Sequence, residues 1–190
     1  DLGMRSGNAS ANTVSYAKTF VGSEFCRFGL GDSTRLGIEM EERFKGLESP
    51  GKLKLGVAGC PRNCSEALIK DVGIVAVEGE RWEIYVGGAG GAHVRKADLL
   101  AVVATHEEVL LLAGRFIQYY REQAKYLERT YSFVPRVGIE KIRAIIVDDS
   151  EGIAAELDRA LQASVDAYAD PWLEAVEPVH PSQFAAAIDA

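Results

Sequence analysis

Two cysteines stand four positions apart, Cys60 and Cys64, in the stretch GVAGCPRNCSEA (56–67), and the chain holds one other, Cys26. Thiolates are soft donors that ligate zinc or iron–sulfur clusters, and thiols can also pair as disulfides. An odd count with no sign of secretion disfavours a disulfide framework and leaves a thiol or metal role. Cys60 follows a strand-like run, and Pro61 takes the place of a first helical residue. Cys64 would then lie one turn on, with both sulfurs on one face and about 6 Å apart. A helix N-terminus there would favour the thiolate form, and Arg62 would add to it. The competing account is a pair of small buried core residues. Gly59, Pro61, Arg62 and Asn63 oppose it, because the stretch offers no apolar face to bury. Zinc would want a second close pair of ligands, and beyond Cys26 only three scattered histidines remain. Clustered thiolates suit an iron–sulfur centre better, although a cube ordinarily takes four of them.

A scaffold must bring these residues together. Residues 9–19 are small and polar and are expected to form a short helix. TFVGSEFCRFGLGDS (19–33) contains Gly22, Gly29 and Gly31, which marks a loop around Cys26. Asp32 or Ser33 can cap a helix in which Leu36, Met40, Phe44 and Leu47 recur at helical spacing. ESPG (48–51) ends it, and Leu53, Leu55 and Val57 then alternate as in a half-buried strand. Two strand-like runs flank Glu78–Arg81, a hairpin pattern. Thr105 and Glu108 form a capping-box pattern. Behind them Val109, Ala113, Phe116, Ile117, Tyr120, Ala124 and Leu127 share one face of a long helix. SFVPRVG (132–138) is expected to interrupt, with shorter helices near 138–146 and 151–168. Pro171, Pro178 and Pro181 predict an irregular tail. Strands first and helices after predict an α+β fold.

Bulk properties narrow the function classes. Of 190 residues, 47% are apolar and 26% charged, as in an ordinary globular protein. No apolar run approaches the roughly 18 residues that cross a bilayer. DLGMRSGNAS, at the N-terminus, lacks the layout of a signal peptide, so a cytoplasmic location is expected. The chain opens on Asp1 rather than Met, and is expected to be a piece of a longer polypeptide. A net charge of −7 argues against a broad nucleic-acid surface. Even so, Arg27, Arg35, Lys52, Lys54, Arg62, Lys70, Arg95 and Lys96 gather in the first hundred residues, near the cysteines. That distribution fits either solvated faces or a local anion site in an acidic protein.

AGCPRNC (58–64) followed by DVGIVAVEGERWEIYVGG (71–88) resembles the iron–sulfur and siroheme half-domain of the nitrite and sulfite reductase family. FVGSEFCRFGLGDSTRLGIEMEERFKG (20–46) is most similar to the C-terminal part of the large subunits of its NAD(P)H-dependent nitrite reductases. The resemblance implies a mixed or antiparallel sheet with flanking helices over residues 1–130, and a helical extension with an irregular tail over 131–190. It also implies a [4Fe–4S] cluster, with Cys26, Cys60 and Cys64 as its second, third and fourth ligands. Cys64 would also reach the iron of siroheme. The first ligand should fall six positions before Cys26, where this chain has Phe20. A cofactor-free scaffold, a cluster with a different fourth ligand or fewer irons, and a sequence variant all follow from that departure.

By the same resemblance Arg27, Arg62 and Asn63 are expected siroheme partners, with Arg95 a further candidate. GGAGG (87–91), through Gly87, Gly88, Gly90 and Gly91, would let backbone N–H groups approach the anionic rim. His93 is read as solvated or structural. The implied activity is six-electron reduction of nitrite to ammonia, with sulfite reduction as the sister reaction, and so a place in nitrate assimilation. No catalytic side chain is expected in this stretch. Substrate-binding basic residues, FAD and NAD(P)H belong to the preceding half-domain and to flavin and nicotinamide modules, with a small reductase subunit as a further partner. No nucleic acid or membrane partner is expected.

Overall fold

Val, Ile and Leu alternate with small residues through the middle of the chain, and these runs become strands. In the computed structural model, which describes residues 12–169, they are β1 (Val14–Thr19), β2 (Leu53–Ala58), β3 (Val72–Val77) and β4 (Arg81–Val86). The two-residue β5 (Ala89–Gly90) and β6 (Val94–Arg95) precede β7 (Asp98–Val103). The main sheet has the order β1-β2-β3-β4-β7, and β5 pairs with β6 in a separate ribbon. β1, β2 and β3 run parallel while β3, β4 and β7 pair antiparallel, so the sheet is mixed, as expected. Five helices accompany it among the described residues: α1 (Ser33–Phe44), α2 (His106–Gln123), α3 (Thr130–Val137), α4 (Ile139–Ile146) and α5 (Ala154–Asp166). None is long and apolar enough to cross a membrane.

The two faces of the sheet differ in side-chain size. On one, Leu53, Leu55, Val57, Ile74 and Ile84 join Leu36, Met40 and Phe44 of α1 and Phe116 of α2 in one buried cluster. Phe133, Ile142, Leu157 and Leu161 of the later helices belong to that same cluster. Each large side chain buried there contributes about 1.5–3 kcal/mol, so this face supplies most of the driving force. The other face carries Gly56, Ala58, Gly73 and Val75. There the segment between Cys60 and Asp71, with a single 3-10 turn at Ala67–Ile69, lies directly on the strands. A Cβ on Gly56 would stand 2.8 Å from Lys70 Cγ, and one on Gly73 would strike the Ala67 carbonyl oxygen. Small residues are thus what allow the cysteine-bearing segment to sit against the sheet.

Local signals held at the helix starts. The Asp32 carboxylate accepts from Arg35 N–H at 3.0 Å and caps α1. Thr105 and Glu108 make both arms of the capping box that opens α2.

Other expectations are corrected. The short helix expected over 9–19 is, where described, the strand β1. Val14 N–H bonds Leu47 O at 2.9 Å, and β1 pairs with β2, so long-range partners override a weak local pattern. No helix begins at Pro61: Asn63 and Glu66 have φ of 56° and 61°, left-handed values that break a helix. α2 stops at Gln123, and Leu127, at φ 63°, is exposed instead of sharing the buried face. SFVPRV lies within α3, Pro135 included, because Phe133 and Val134 are buried in the core, and the interruption falls only at Gly138, whose φ of 93° separates α3 from α4. β7, DLLAVV in sequence, is a strand that the reading above lacks. Pro171, Pro178 and Pro181 lie outside the described residues.

Candidate metal centre

The loop leaving β1 carries Cys26 and closes on itself through backbone bonds. Gly22 O accepts from Cys26 N–H at 2.9 Å and Phe25 N–H at 3.3 Å, Cys26 O accepts from Gly29 N–H at 2.8 Å, and Gly31 O accepts from Ser23 N–H at 3.0 Å. Ser33 Oγ donates to Phe20 O at 2.5 Å, pinning the other end. This closed loop then docks on the exit of β2, where Gly59 O accepts from Leu30 N–H at 2.7 Å and Gly31 N–H at 3.2 Å. Glycine is required at the contact: a Cβ on Gly59 would meet Gly22 Cα at 2.8 Å, and one on Gly29 would meet Gly22 C at 2.5 Å.

Immediately after Gly59 the chain turns rather than coils. Cys60 O accepts from Asn63 N–H at 3.1 Å, and Asn63 O accepts from Glu66 N–H at 2.9 Å. The Asn63 side chain accepts from Leu68 N–H at 3.2 Å, which holds the left-handed turn that asparagine tolerates well. Cys26, Cys60 and Cys64 thereby come to line one cavity of about 150 Å³, together with Phe20, Phe28 and Arg62. Cys60 is buried, Cys26 half-buried and Cys64 exposed, and all three are free thiols.

Positive charge gathers beside them. The Arg62 guanidinium lies 3.8 Å from the Phe28 ring centroid and that of Arg27 lies 4.6 Å away, within cation–π range. Phe28, which no sequence pattern singled out, therefore holds Arg62 at the cavity wall, while Arg27 packs on the same ring without lining the cavity. Among the described residues no three His, Cys, Asp or Glu groups converge tightly enough for a single metal ion. Thiols that share a cavity without meeting at one point suit a polynuclear cluster, whose ligands bind different metal atoms. The buried Ser65 Oγ, next in sequence to Cys64, has no hydrogen-bond partner among the described residues. By type and number the three thiols match three of the four thiolates that a cube ordinarily takes. The place expected for the fourth has Phe20, which cannot ligate.

The glycine-rich segment belongs to a different cavity. Gly88, Gly90 and Gly91 line a space of about 260 Å³ with Lys54, Asp71 and Arg129, and it shares no lining residue with the thiol cavity. Gly87, at φ 78°, instead accepts from Arg95 Nη1 at 2.7 Å, and Arg95 also pairs with Asp98 at 2.6 Å. His93 stacks near Tyr131, ring centroids 5.9 Å apart. Asp71 is buried and accepts from Lys54 N–H at 2.9 Å, Arg129 Nη2 at 3.0 Å and Thr130 Oγ1. Burial pushes its carboxyl above the usual range, against the opposing pull of Arg129. Fifty-eight residues separate Asp71 from Arg129, so no local pattern could have paired them.

Comparison with known proteins bears on this arrangement. Residues 10–153 match the family model described as the nitrite and sulphite reductase 4Fe-4S domain. The NAD(P)H nitrite reductase of Bacillus subtilis is 47% identical over 177 residues, 93% of this chain and 22% of the relative. The assimilatory-type sulfite reductase of Nitratidesulfovibrio vulgaris is 36% identical over 147 residues, 77% of this chain and 67% of the relative. Among solved structures, dissimilatory sulfite reductase I superposes with a TM-score of 0.65 at 14% identity, covering 72% of this chain and 53% of that one. That likeness speaks for the fold alone. The chain thus spans about a fifth of the curated nitrite reductase it matches.

Proposed function

Because the chain belongs to the nitrite and sulphite reductase 4Fe-4S domain family, we propose that it forms the iron–sulfur and siroheme half of a nitrite reductase, working within a longer polypeptide in the cytoplasm. Overall, nitrite would take up six electrons and eight protons to give ammonium and two waters. The observation that carries the reading is the convergence of Cys26, Cys60 and Cys64 on one cavity. Higher identity to the nitrite reductase than to the sulfite reductase supports nitrite as the substrate.

Cys26, Cys60 and Cys64 would hold the cluster, and the exposed Cys64 is the thiol best placed to face a second cofactor. When bound, the cluster stores single electrons and siroheme offers an iron for the substrate anion. Arg27 and Arg62 would offset the negative charge of the thiolates and clasp siroheme carboxylates by charge-assisted hydrogen bonds. Asn63 would keep Cys60 and Cys64 at their spacing through its turn. Gly88, Gly90 and Gly91 would leave backbone room for an anionic edge in their own cavity, whereas Gly87 is taken up by Arg95. The preceding half-domain would supply the groups that bind nitrite and deliver protons. FAD and NAD(P)H modules, with a small reductase subunit, would supply electrons, and the helices α3, α4 and α5 would act as an extension packed on the same core.

The chain, prepared anaerobically with iron and sulfide, is expected to show iron–sulfur absorbance and to contain iron and acid-labile sulfide. In the longer polypeptide supplied with siroheme, nitrite should drive NAD(P)H oxidation faster than sulfite does. Phe20 favours a second reading, a scaffold of the same family without a cluster. A colourless, iron-free protein from that preparation would establish it and overturn the first.

A further inference from the structure

A cube has four iron corners, and proteins ordinarily tie each with a thiolate. Here three thiols line the cavity, and every other lining residue is phenylalanine, valine, glycine or arginine. None of those side chains ligates iron. Phe20, on the same cavity, is 45% exposed, so that side of the site is open to solvent. Its backbone is held by Ser33 Oγ. Arg62 lines the cavity, so its wall carries a positive charge.

We infer that a cluster at this site is tied by three thiolates only, Cys26, Cys60 and Cys64, and that its fourth iron, on the Phe20 side, accepts a small external thiolate. This rests on the cluster-binding reading above. The chemistry follows from the donors present. An iron with no protein ligand keeps an exchangeable site, soft anionic sulfur is the donor it prefers, and Arg62 on the cavity wall draws an anion toward it. That iron is also the one most easily lost.

The test uses the chain loaded anaerobically with ferrous iron and sulfide in thiol-free buffer. Ferricyanide removes one electron from the cluster as one ferrous ion departs. Wild type is expected to lose about one iron in four, leaving about three irons for every four sulfides, and to gain the electron paramagnetic resonance signal of an oxidised three-iron cluster. Before oxidation, 2-mercaptoethanol should change the spectrum of the reduced cluster and slow the iron loss. Phe20→Cys should keep all its iron and ignore the added thiol. Phe20→Ala, which removes bulk without adding a donor, should behave as wild type, and the exposure of the ring makes either variant mild for folding. Equal iron retention and thiol response in wild type and Phe20→Cys would overturn the inference, since a fourth ligand would then come from elsewhere. Iron in Phe20→Cys but not in wild type would overturn it too, while sparing the assignment of the three cysteines. Iron in neither would overturn both.

Discussion

Replacing Gly59 by Ala tests the contact that brings Cys26 to Cys60. The added Cβ would stand 2.8 Å from Gly22 Cα, 3.0 Å from Ser33 Oγ and 3.1 Å from the Gly31 carbonyl oxygen. Carbon atoms rest comfortably at about 3.5–4.0 Å, so the loop must retreat by roughly 0.7 Å or more. Two of the three obstacles are backbone and cannot swing aside. The same motion stretches the bonds from Leu30 and Gly31 N–H to Gly59 O, now 2.7 and 3.2 Å. Overpacking of this kind costs about 1–3 kcal/mol, and the stiffer unfolded chain returns about 0.4–1 kcal/mol. A net loss of about 1–2 kcal/mol is expected from urea unfolding. Ligand constellations tolerate displacements of about 0.5 Å, so retained iron per chain should fall several-fold after anaerobic loading and desalting. Gly91→Ala is the control: nothing lies within 4 Å of its added Cβ, and its stability should stay within about 0.5 kcal/mol of wild type. If Gly59→Ala matched Gly91→Ala in both measurements, the docking of this loop on Gly59 would not be what assembles the site.

Asp71→Ala should destabilise by about 2–4 kcal/mol in denaturant unfolding. Breaking a buried ion pair costs about 3–5 kcal/mol, reduced here because Arg129, one-third exposed, can rehydrate. A loss below about 1 kcal/mol would show that the buried carboxylate does not tie the start of β3 to α3. Arg136 donates to Glu128 at 2.6 and 2.8 Å and holds its carboxyl below the ordinary glutamate range. With the folded value depressed, the stability from this pair is present above the unfolded value and lost as pH falls through the folded one. Arg136→Ala should therefore lower the melting temperature at neutral pH and flatten its decline on acidification. Parallel acid curves for the variant and wild type would contradict that.

Elements whose signals lie within a few residues were legible beforehand. Asp32 at α1, the Thr105–Glu108 box at α2, and the alternation of Leu53, Leu55 and Val57 all act through neighbours one turn or two residues away. The donor types were legible as well, because three cysteines with arginines beside them are written in the chain. What formed between Cys60 and Cys64 was not. Pro61 reads locally as a helix start, but Asn63 and Glu66 adopt left-handed turns as the segment crosses the small-residue face of the sheet. β1 was misread because an edge strand draws its partners from residues 47–57, beyond any local window.

By itself the amino-acid sequence determined which donors are present, how Cys60 and Cys64 are spaced, and that Phe20 offers no ligand. Tertiary structure alone decided that Cys26 shares their cavity and that Gly88, Gly90 and Gly91 line another. The physical reason is reach. Caps and periodicities act over about one turn, whereas this convergence depends on strand pairing and on the close backbone approach that Gly22 and Gly59 permit across 37 residues.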